Sequence, residues 1–303
     1  MDALPSLQNL IIDIQPLKSR IADEHNISVD MLRLDAIHPI VSGNKLFKLT
    51  YFLEQAKNST HKQIITFGGA YSNHLAAAAF ACSNAGLKSV GIVRGEKPEK
   101  LSHTLKLCLE NKMYLEFISR SEYLHINTNN FTDELIKKFG SHILIPEGGF
   151  SKKGADGAAL ICYHYYLKNY SHVCCAIGTA TTFAGLIKGS FREMIIGFSV
   201  LKNLLDVEER LRYLNVSSSK KYSIIPDYHF GGYAKINSEL ISFMNLFYDN
   251  NKIPLDFVYT GKMMFGVHDL IAKNYFLQGS KILCIHTGGL QGNKSLPDIM
   301  LNF

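Results

Sequence analysis

Short β-branched runs that end in glycine alternate along the whole chain with longer amphipathic stretches. QIITFGG, SVGIVRG, MYLEFIS, HILIPEGG, HVCCAIGT, MIIGFSV, FVYTG and KILCIHTGG read as buried strands, and roughly 10 to 17 residues of helical period separate most of them. Strands alternating with helices imply parallel βαβ units. The fold class expected is therefore α/β, with two open sheets carrying helices on both faces. A chain of 303 residues, 47% hydrophobic and 19% charged, has enough apolar surface for one large core or two smaller ones. Two lobes are the expected division.

The bulk properties narrow the function classes. The net charge is +6, but the lysines are scattered and the densest cluster, SSSKKYS at 217–223, reads as a surface loop. Nucleic-acid binding is not expected, and small anionic molecules remain compatible. The six cysteines form no CxxC pair, no metal centre is expected, and Cys174-Cys175 falls in an apolar run. With no basic region before the first apolar residues and no apolar run of bilayer length, a cytoplasmic protein without membrane contact is expected.

In open α/β sheets ligands bind beyond the carboxyl ends of the strands, so the residues just after each strand are the place to look. FGGAYSNH, 67–74, follows a strand and opens a helix expected from Leu75 to about Ala85. Ser72, Asn73 and the first-turn N–H groups converge there, which suits a carboxylate, although an ordinary N-cap would use the same residues. AIGTATTFAGL, 176–186, repeats the design with Gly178 and three threonines, a cradle suited to phosphate. HTGG, 286–289, places Thr287 at a strand end before two glycines, where the chain can approach a flat ring. In VSGNKLFKLTYF, 41–52, a turn at Ser42-Gly43-Asn44 starts a helix with Lys45 and Lys48 near its positive end, a setting that lowers an amine's pKa. A nucleophilic lysine, a carboxylate site, a phosphate cradle and glycine-flanked strand ends together suit pyridoxal 5'-phosphate.

LRLDAIHPIVSGNKLFKL, ITFGGAYSNHLAAAAFACSNAG, IPEGGFSKKGADG, AIGTATTFAGL, VYTGKMMFGVHDLI and ILCIHTGG stand in this order over most of the chain. In this the chain resembles the 1-aminocyclopropane-1-carboxylate deaminase and D-cysteine desulfhydrase family, which has the tryptophan-synthase-β-like fold (fold type II) of pyridoxal-phosphate enzymes. The resemblance implies roles. Lys45 matches the Schiff-base lysine and Lys48 its neighbour near the phosphate. Asn73 matches the residue bonded to the cofactor's phenolic oxygen, and Ser72 with His74 resembles the corner that takes the substrate carboxylate. Gly178, Thr179, Ala180, Thr181 and Thr182 match the phosphate loop, and Tyr233 and Tyr259 match two tyrosines that face the substrate. Without the resemblance, core packing is the expected use of most of the 15 tyrosines.

The chain departs from the family pattern in the phosphate loop and from the cyclopropane deaminases at two further positions. Ala180 and Thr181 stand where adjacent glycines are usual, so a positive φ there would be strained. Thr260 and Thr287 stand where cyclopropane deaminases carry Glu and Leu; both are candidates for the ring-nitrogen partner, with Thr287 favoured. A neutral hydroxyl leaves that nitrogen largely unprotonated and makes the ring a shallower electron sink, which suits β-elimination. The activity implied is pyridoxal-phosphate-dependent β-elimination and deamination of a small amino acid, of the D-cysteine desulfhydrase kind, giving a 2-keto acid and ammonia. Opening of 1-aminocyclopropane-1-carboxylate and a non-catalytic pyridoxal-phosphate-binding role are the alternatives. A homodimer is implied by the family.

Overall fold

A computed structural model describes residue 7 and residues 10–303 apart from 39, 42, 165, 166 and 298. Ser42 of the expected turn lies outside the described residues. Among the described residues ten strands form two sheets. The larger, in spatial order β1-β2-β10-β7-β8-β9, joins β1 (Ile14–Pro16), β2 (Ser28–Leu32), β7 (His172–Ile177), β8 (Met194–Ser199), β9 (Tyr222–Ile225) and β10 (Lys281–Ile285). The smaller, in order β5-β4-β3-β6, joins β3 (Gln63–Gly68), β4 (Lys88–Arg94), β5 (Tyr114–Ile118) and β6 (Ile143–Ile145).

Seven of the eight expected strands are present. The eighth, FVYTG, is a turn leading into the helix Thr260–Ala272. The reason is the carboxylate of Asp256, which accepts hydrogen bonds from the backbone N–H groups of Val258 (3.0 Å), Tyr259 (2.7 Å) and Thr260 (2.9 Å). One side chain thus gathers three consecutive donors and wraps an apolar run that would otherwise extend. The periodicity reading also passed over β1, β2 and β9, short strands on the flanks of the larger sheet. β1 runs antiparallel to β2, so that edge departs from the all-parallel expectation.

Both sheets are covered on both faces, because side chains alternate across each strand. Val173, Cys175 and Ile177 of β7 enter a core shared with Ile64, Val93 and Ile145 of the smaller sheet, while Cys174 packs on the other side with Met263, Val267 and Ile271 of the helix Thr260–Ala272. Ile65 and Phe67 of β3 pack with Leu135 of the helix Asn129–Phe139. All six cysteines are buried and unbridged. Among the described residues no helix is long and apolar enough to cross a membrane.

The strand order reverses once in each sheet. In the larger sheet β7, β8 and β9 run outward one way while β10 and β2 lie on the other side; in the smaller sheet β3, β4 and β5 run one way with β6 on the other side. A crevice opens beyond the strand ends at such a reversal. The helix Asn44–Asn58 is seated in the larger crevice by its first residues. Gly43 has φ +70°, its N–H donates to Leu34 O at 2.7 Å, and Asn44 N–H donates to Thr287 O at 3.2 Å. A β-carbon on Gly43 would stand 1.9 Å from that same Thr287 carbonyl oxygen. Gly43→Ala therefore combines an unfavourable φ with a backbone collision, and we expect a loss of about 2 to 4 kcal/mol. Urea titration of the two proteins checks this; an unchanged midpoint would contradict the docking.

Candidate active site

A cavity of about 440 Å³ opens between the two sheets, where the strand ends at both reversals meet. Gly178 to Thr182 come from the end of β7, Thr287 to Gly289 from β10, Gly69 to His74 from β3 and Glu147 with Gly148 from β6. Lys45 and Lys48 reach it from the helix seated against β10.

Lys45 lies in the first turn of that helix, and its Nζ donates to Asn44 Oδ1 at 2.7 Å. Asn44 in turn donates through Nδ2 to Thr182 Oγ1 at 2.7 Å, so one amide ties the lysine to the threonine loop. Because the Thr182 hydroxyl accepts from Asn44, its own proton stays available to a ligand. Burial lowers the Lys45 amine from its ordinary 10.5 to about 8, with the charge of Asp256 opposing. Desolvation therefore leads here, ahead of the helix dipole that the sequence pointed to. Lys48 is only 4% exposed, donates to Gly148 O at 3.3 Å, and is held well below its usual range by burial and then by Lys45.

The threonine loop ends in the helix Thr181–Gly189, whose first-turn N–H groups have no intrahelical acceptor. Thr179 and Thr181 share a hydroxyl hydrogen bond of 2.9 Å. Ala180 sits at φ 66°, the left-handed strain anticipated for it, whereas Thr181 is the first helical residue and is absent from the positive-φ positions.

Across the cavity the helix Asn73–Asn84 begins with Ser72 as N-cap, its Oγ accepting from Leu75 N at 3.3 Å. The helix starts two residues earlier than expected, which leaves the N–H groups of Asn73 and His74 in its open first turn. The side-chain oxygen of Asn73 is buried without a partner in the protein. His74 departs from the expected role. The Thr66 hydroxyl donates to Ile145 O at 2.9 Å, so it accepts from His74 Nε2 at 2.8 Å and leaves Nδ1 bare; that atom is buried and unpartnered. Burial, and after it Lys45 and Lys48, pulls this ring down to about 3. A neutral ring with a bare nitrogen cannot donate to a carboxylate, so His74 offers an anion its backbone N–H and not its imidazole.

Tyr233 and Tyr259 both line the cavity, with ring centroids 6.3 Å apart in a T-shaped pair. Burial foremost, then the neighbouring Tyr233 and Asp256, pushes the Tyr259 phenol well above its usual range. Thr287 lines the cavity, but Thr260 does not. The Thr260 hydroxyl is buried and spent on Asp256, donating to Oδ2 at 2.6 Å and accepting from Asp256 N at 2.9 Å. The sequence reading placed no acid near the ring nitrogen. Asp256, 1% exposed, brings a carboxylate within electrostatic reach of Lys45, behind the cavity wall and saturated by four donors.

Several residues here carried no assignment from sequence. Asn44 and Glu147 lay inside quoted motifs, and an aspartate three residues before Tyr259 is a recognisable turn signal. Arg94 reaches the cavity from the end of β4, a strand end inside the quoted SVGIVRG run that carried no role, and Arg210 reaches it from the helix Val207–Tyr213, where nothing in the neighbourhood marks it.

The depressed amine gives a direct test. The neutral, nucleophilic form of Lys45 should grow in as pH passes about 8, and not near 10. Modification by trinitrobenzenesulfonate, followed at the Lys45 peptide by mass spectrometry, is expected to show a midpoint there; a midpoint near 10 would contradict the burial.

No model of a protein family matches the chain. It is 30% identical over 295 residues to a Pyrococcus abyssi protein provisionally named 1-aminocyclopropane-1-carboxylate deaminase, covering 90% of this chain and 88% of that one. It is also 30% identical over 289 residues to the mitochondrial bifunctional D-cysteine desulfhydrase/1-aminocyclopropane-1-carboxylate deaminase of Arabidopsis thaliana, covering 83% and 70% respectively. A solved structure of a deaminase homologue superposes with a TM-score of 0.77 at 26% identity, covering 96% of this chain and 92% of that one. The chain belongs to the family of 1-aminocyclopropane-1-carboxylate deaminases and D-cysteine desulfhydrases.

Proposed function

We propose that this protein is a pyridoxal-phosphate-dependent lyase that eliminates the β-substituent of a small amino acid and releases a 2-keto acid and ammonia. The observation that carries the reading is the wiring of Lys45. An amine lowered to about 8 shares a single amide, Asn44, with a threonine loop at a helix N-terminus, in a cavity that offers a second helix N-terminus opposite. That donor set fits the cofactor: an aldehyde requires the amine, a phosphate dianion the helix N-terminus with its hydroxyls, and a phenolic oxygen an amide such as Asn73. The buried Asn73 oxygen without a partner is a further sign of a ligand-binding surface.

Lys45 would hold the cofactor covalently, and the residues 178–182 with Lys48 would hold its phosphate. When bound, the ring supplies an electron sink for the pair left at the substrate's α-carbon. Everything else falls to the chain. Ser72 and the N–H groups of Asn73 and His74 orient the substrate carboxylate, Lys45 takes the α-proton, and the β-substituent leaves with its electron pair. For cysteine, the substrate and one water become pyruvate, ammonia and hydrogen sulfide. Thr287, a neutral residue, lines the cavity, which supports β-elimination over chemistry that needs a deep sink. The tyrosine pair supports the second reading, opening of 1-aminocyclopropane-1-carboxylate, where no α-proton exists and a phenol assists attack on the ring. We take residues 1–48 with 148–303 as the cofactor-binding lobe, residues 49–147 as the inserted lobe, and the homodimer of the family as the assembly.

A keto-acid assay of the cofactor-loaded protein separates the two readings. Pyruvate should form from D-cysteine or β-chloro-D-alanine faster than 2-oxobutanoate forms from the cyclopropane amino acid. The reverse order would favour the second reading, and silence on every D- and L-amino acid would remove both. Lys45→Gln should lower turnover by about 10² to 10⁴.

Cofactor titration tests the loop. Relief of the left-handed strain is offset in part by glycine's greater backbone entropy, so Ala180→Gly should bind as well or better. Thr181→Gly should bind worse, because it removes a hydroxyl pair and a helix-initiating residue. Thr182→Ala should weaken binding by about 1.5 to 3 kcal/mol; an unchanged affinity would detach that hydroxyl from the phosphate.

A further inference from the structure

Lys262, two residues into the helix Thr260–Ala272, is 0% exposed and does not line the cavity. Its Nζ donates to His229 O at 2.9 Å and to Gly232 O at 2.7 Å, so both of its partners are backbone carbonyls of the loop that carries Tyr233. That loop has an unusual backbone. Phe230 (φ 51°), Gly231 (φ 94°), Gly232 (φ 120°) and Ala234 (φ 54°) all have positive φ. Its backbone–backbone hydrogen bonds, Gly232 N to His229 O at 3.0 Å and Lys235 N to Gly232 O at 3.2 Å, converge on the two carbonyls that Lys262 holds, and Gly231 N donates to His229 Nδ1 at 2.9 Å. Tyr233 emerges from this turn 56% exposed, with its ring against Tyr259.

Burying a lysine against carbonyls alone is a poor way to gain stability, since an apolar side chain of similar volume fills the same space without desolvating a charge. What the ammonium provides is direction. Two donors aimed at carbonyls three residues apart fix a turn that its glycines leave free to rearrange. Asp256, at the other end of the same short segment, fixes the turn that bears Tyr259. We propose that Lys262 is a positioning residue: it clamps the turn at residues 229–232 so that Tyr233 stands against Tyr259 at the solvent edge of the cavity. This rests on the reading that Tyr233 faces the substrate. Burial lowers the amine to about 8, with Asp256 opposing, so it remains largely an ammonium at neutral pH.

Two measurements on the holoenzyme test the clamp. In Lys262→Met, amide hydrogen exchange over residues 229–235 should accelerate about tenfold or more while cofactor affinity holds, because a charged hydrogen-bond donor to two carbonyls is gone. In the same variant kcat/KM should fall about tenfold or more, and the fall should vanish when Tyr233 is already Phe, as a residue acting through Tyr233 requires. Gly231→Ala, which strains the loop from its exposed side without entering the core, should reproduce the same pattern if Lys262→Met fails to fold. Unchanged exchange in the loop overturns the clamp. A kcat/KM loss that persists in full in the Tyr233→Phe background overturns its route through Tyr233. If exchange accelerates but Tyr233→Phe changes no rate, the clamp stands and the substrate-facing reading of Tyr233 fails.

Discussion

The seam between Gly43-Asn44 and the Thr287 carbonyl governs the geometry of this molecule. At Gly43 the chain turns with a positive φ directly against the end of β10, leaving no room for a β-carbon. That contact starts the helix Asn44–Asn58 at the point where the larger sheet reverses its strand order. Lys45 consequently stands within one turn of the helix start, beside the β7 loop and opposite the β3 loop. Shifting the seam by one residue would rotate the lysine away by the helical step of about 100°. The cavity, its amine and its threonine loop are therefore fixed by one backbone contact.

Electrostatics then sets what the cavity can do. Two lysines are desolvated side by side; Lys45 disfavours the charge of Lys48, and both disfavour that of His74. The Asp256 carboxylate offsets part of this for Lys45 from behind the wall. The balance leaves an amine whose protonation changes at about pH 8, the property wanted in the nucleophile and base that we propose it to be. His74, neutral and bare at Nδ1, contributes no positive charge, which leaves the two opposed helix N-termini as the anion-attracting surfaces proposed for the cavity.

How much of this was legible in the sequence depends on whether a signal was local. The glycine-ended runs marked β3 through β8 and β10 because hydrophobic period and punctuation lie within a few residues. FVYTG misled because its composition is that of a strand, while its conformation is imposed by the side chain of Asp256 just before it. β1, β2 and β9 are short and flank the sheet, so their pairing partners, distant in sequence, decide them. At the site, Lys45, the β3 loop and the threonine loop were recognisable by motif. The engagement of Thr260 with Asp256, the tautomer of His74 and the clamp by Lys262 each depend on contacts that composition does not encode. Arg94 stood at a legible strand end but without a motif, and Arg210 reaches the cavity only through folding.

We propose Lys45, and not its neighbour Lys48, as the amine that takes the cofactor aldehyde. Reduction of the pyridoxal-phosphate-loaded protein with borohydride, followed by digestion and peptide mapping, addresses it directly. A single pyridoxyl label on Lys45 is expected, lost in Lys45→Gln and retained in Lys48→Gln. A label on Lys48, or none at saturating cofactor, would contradict it.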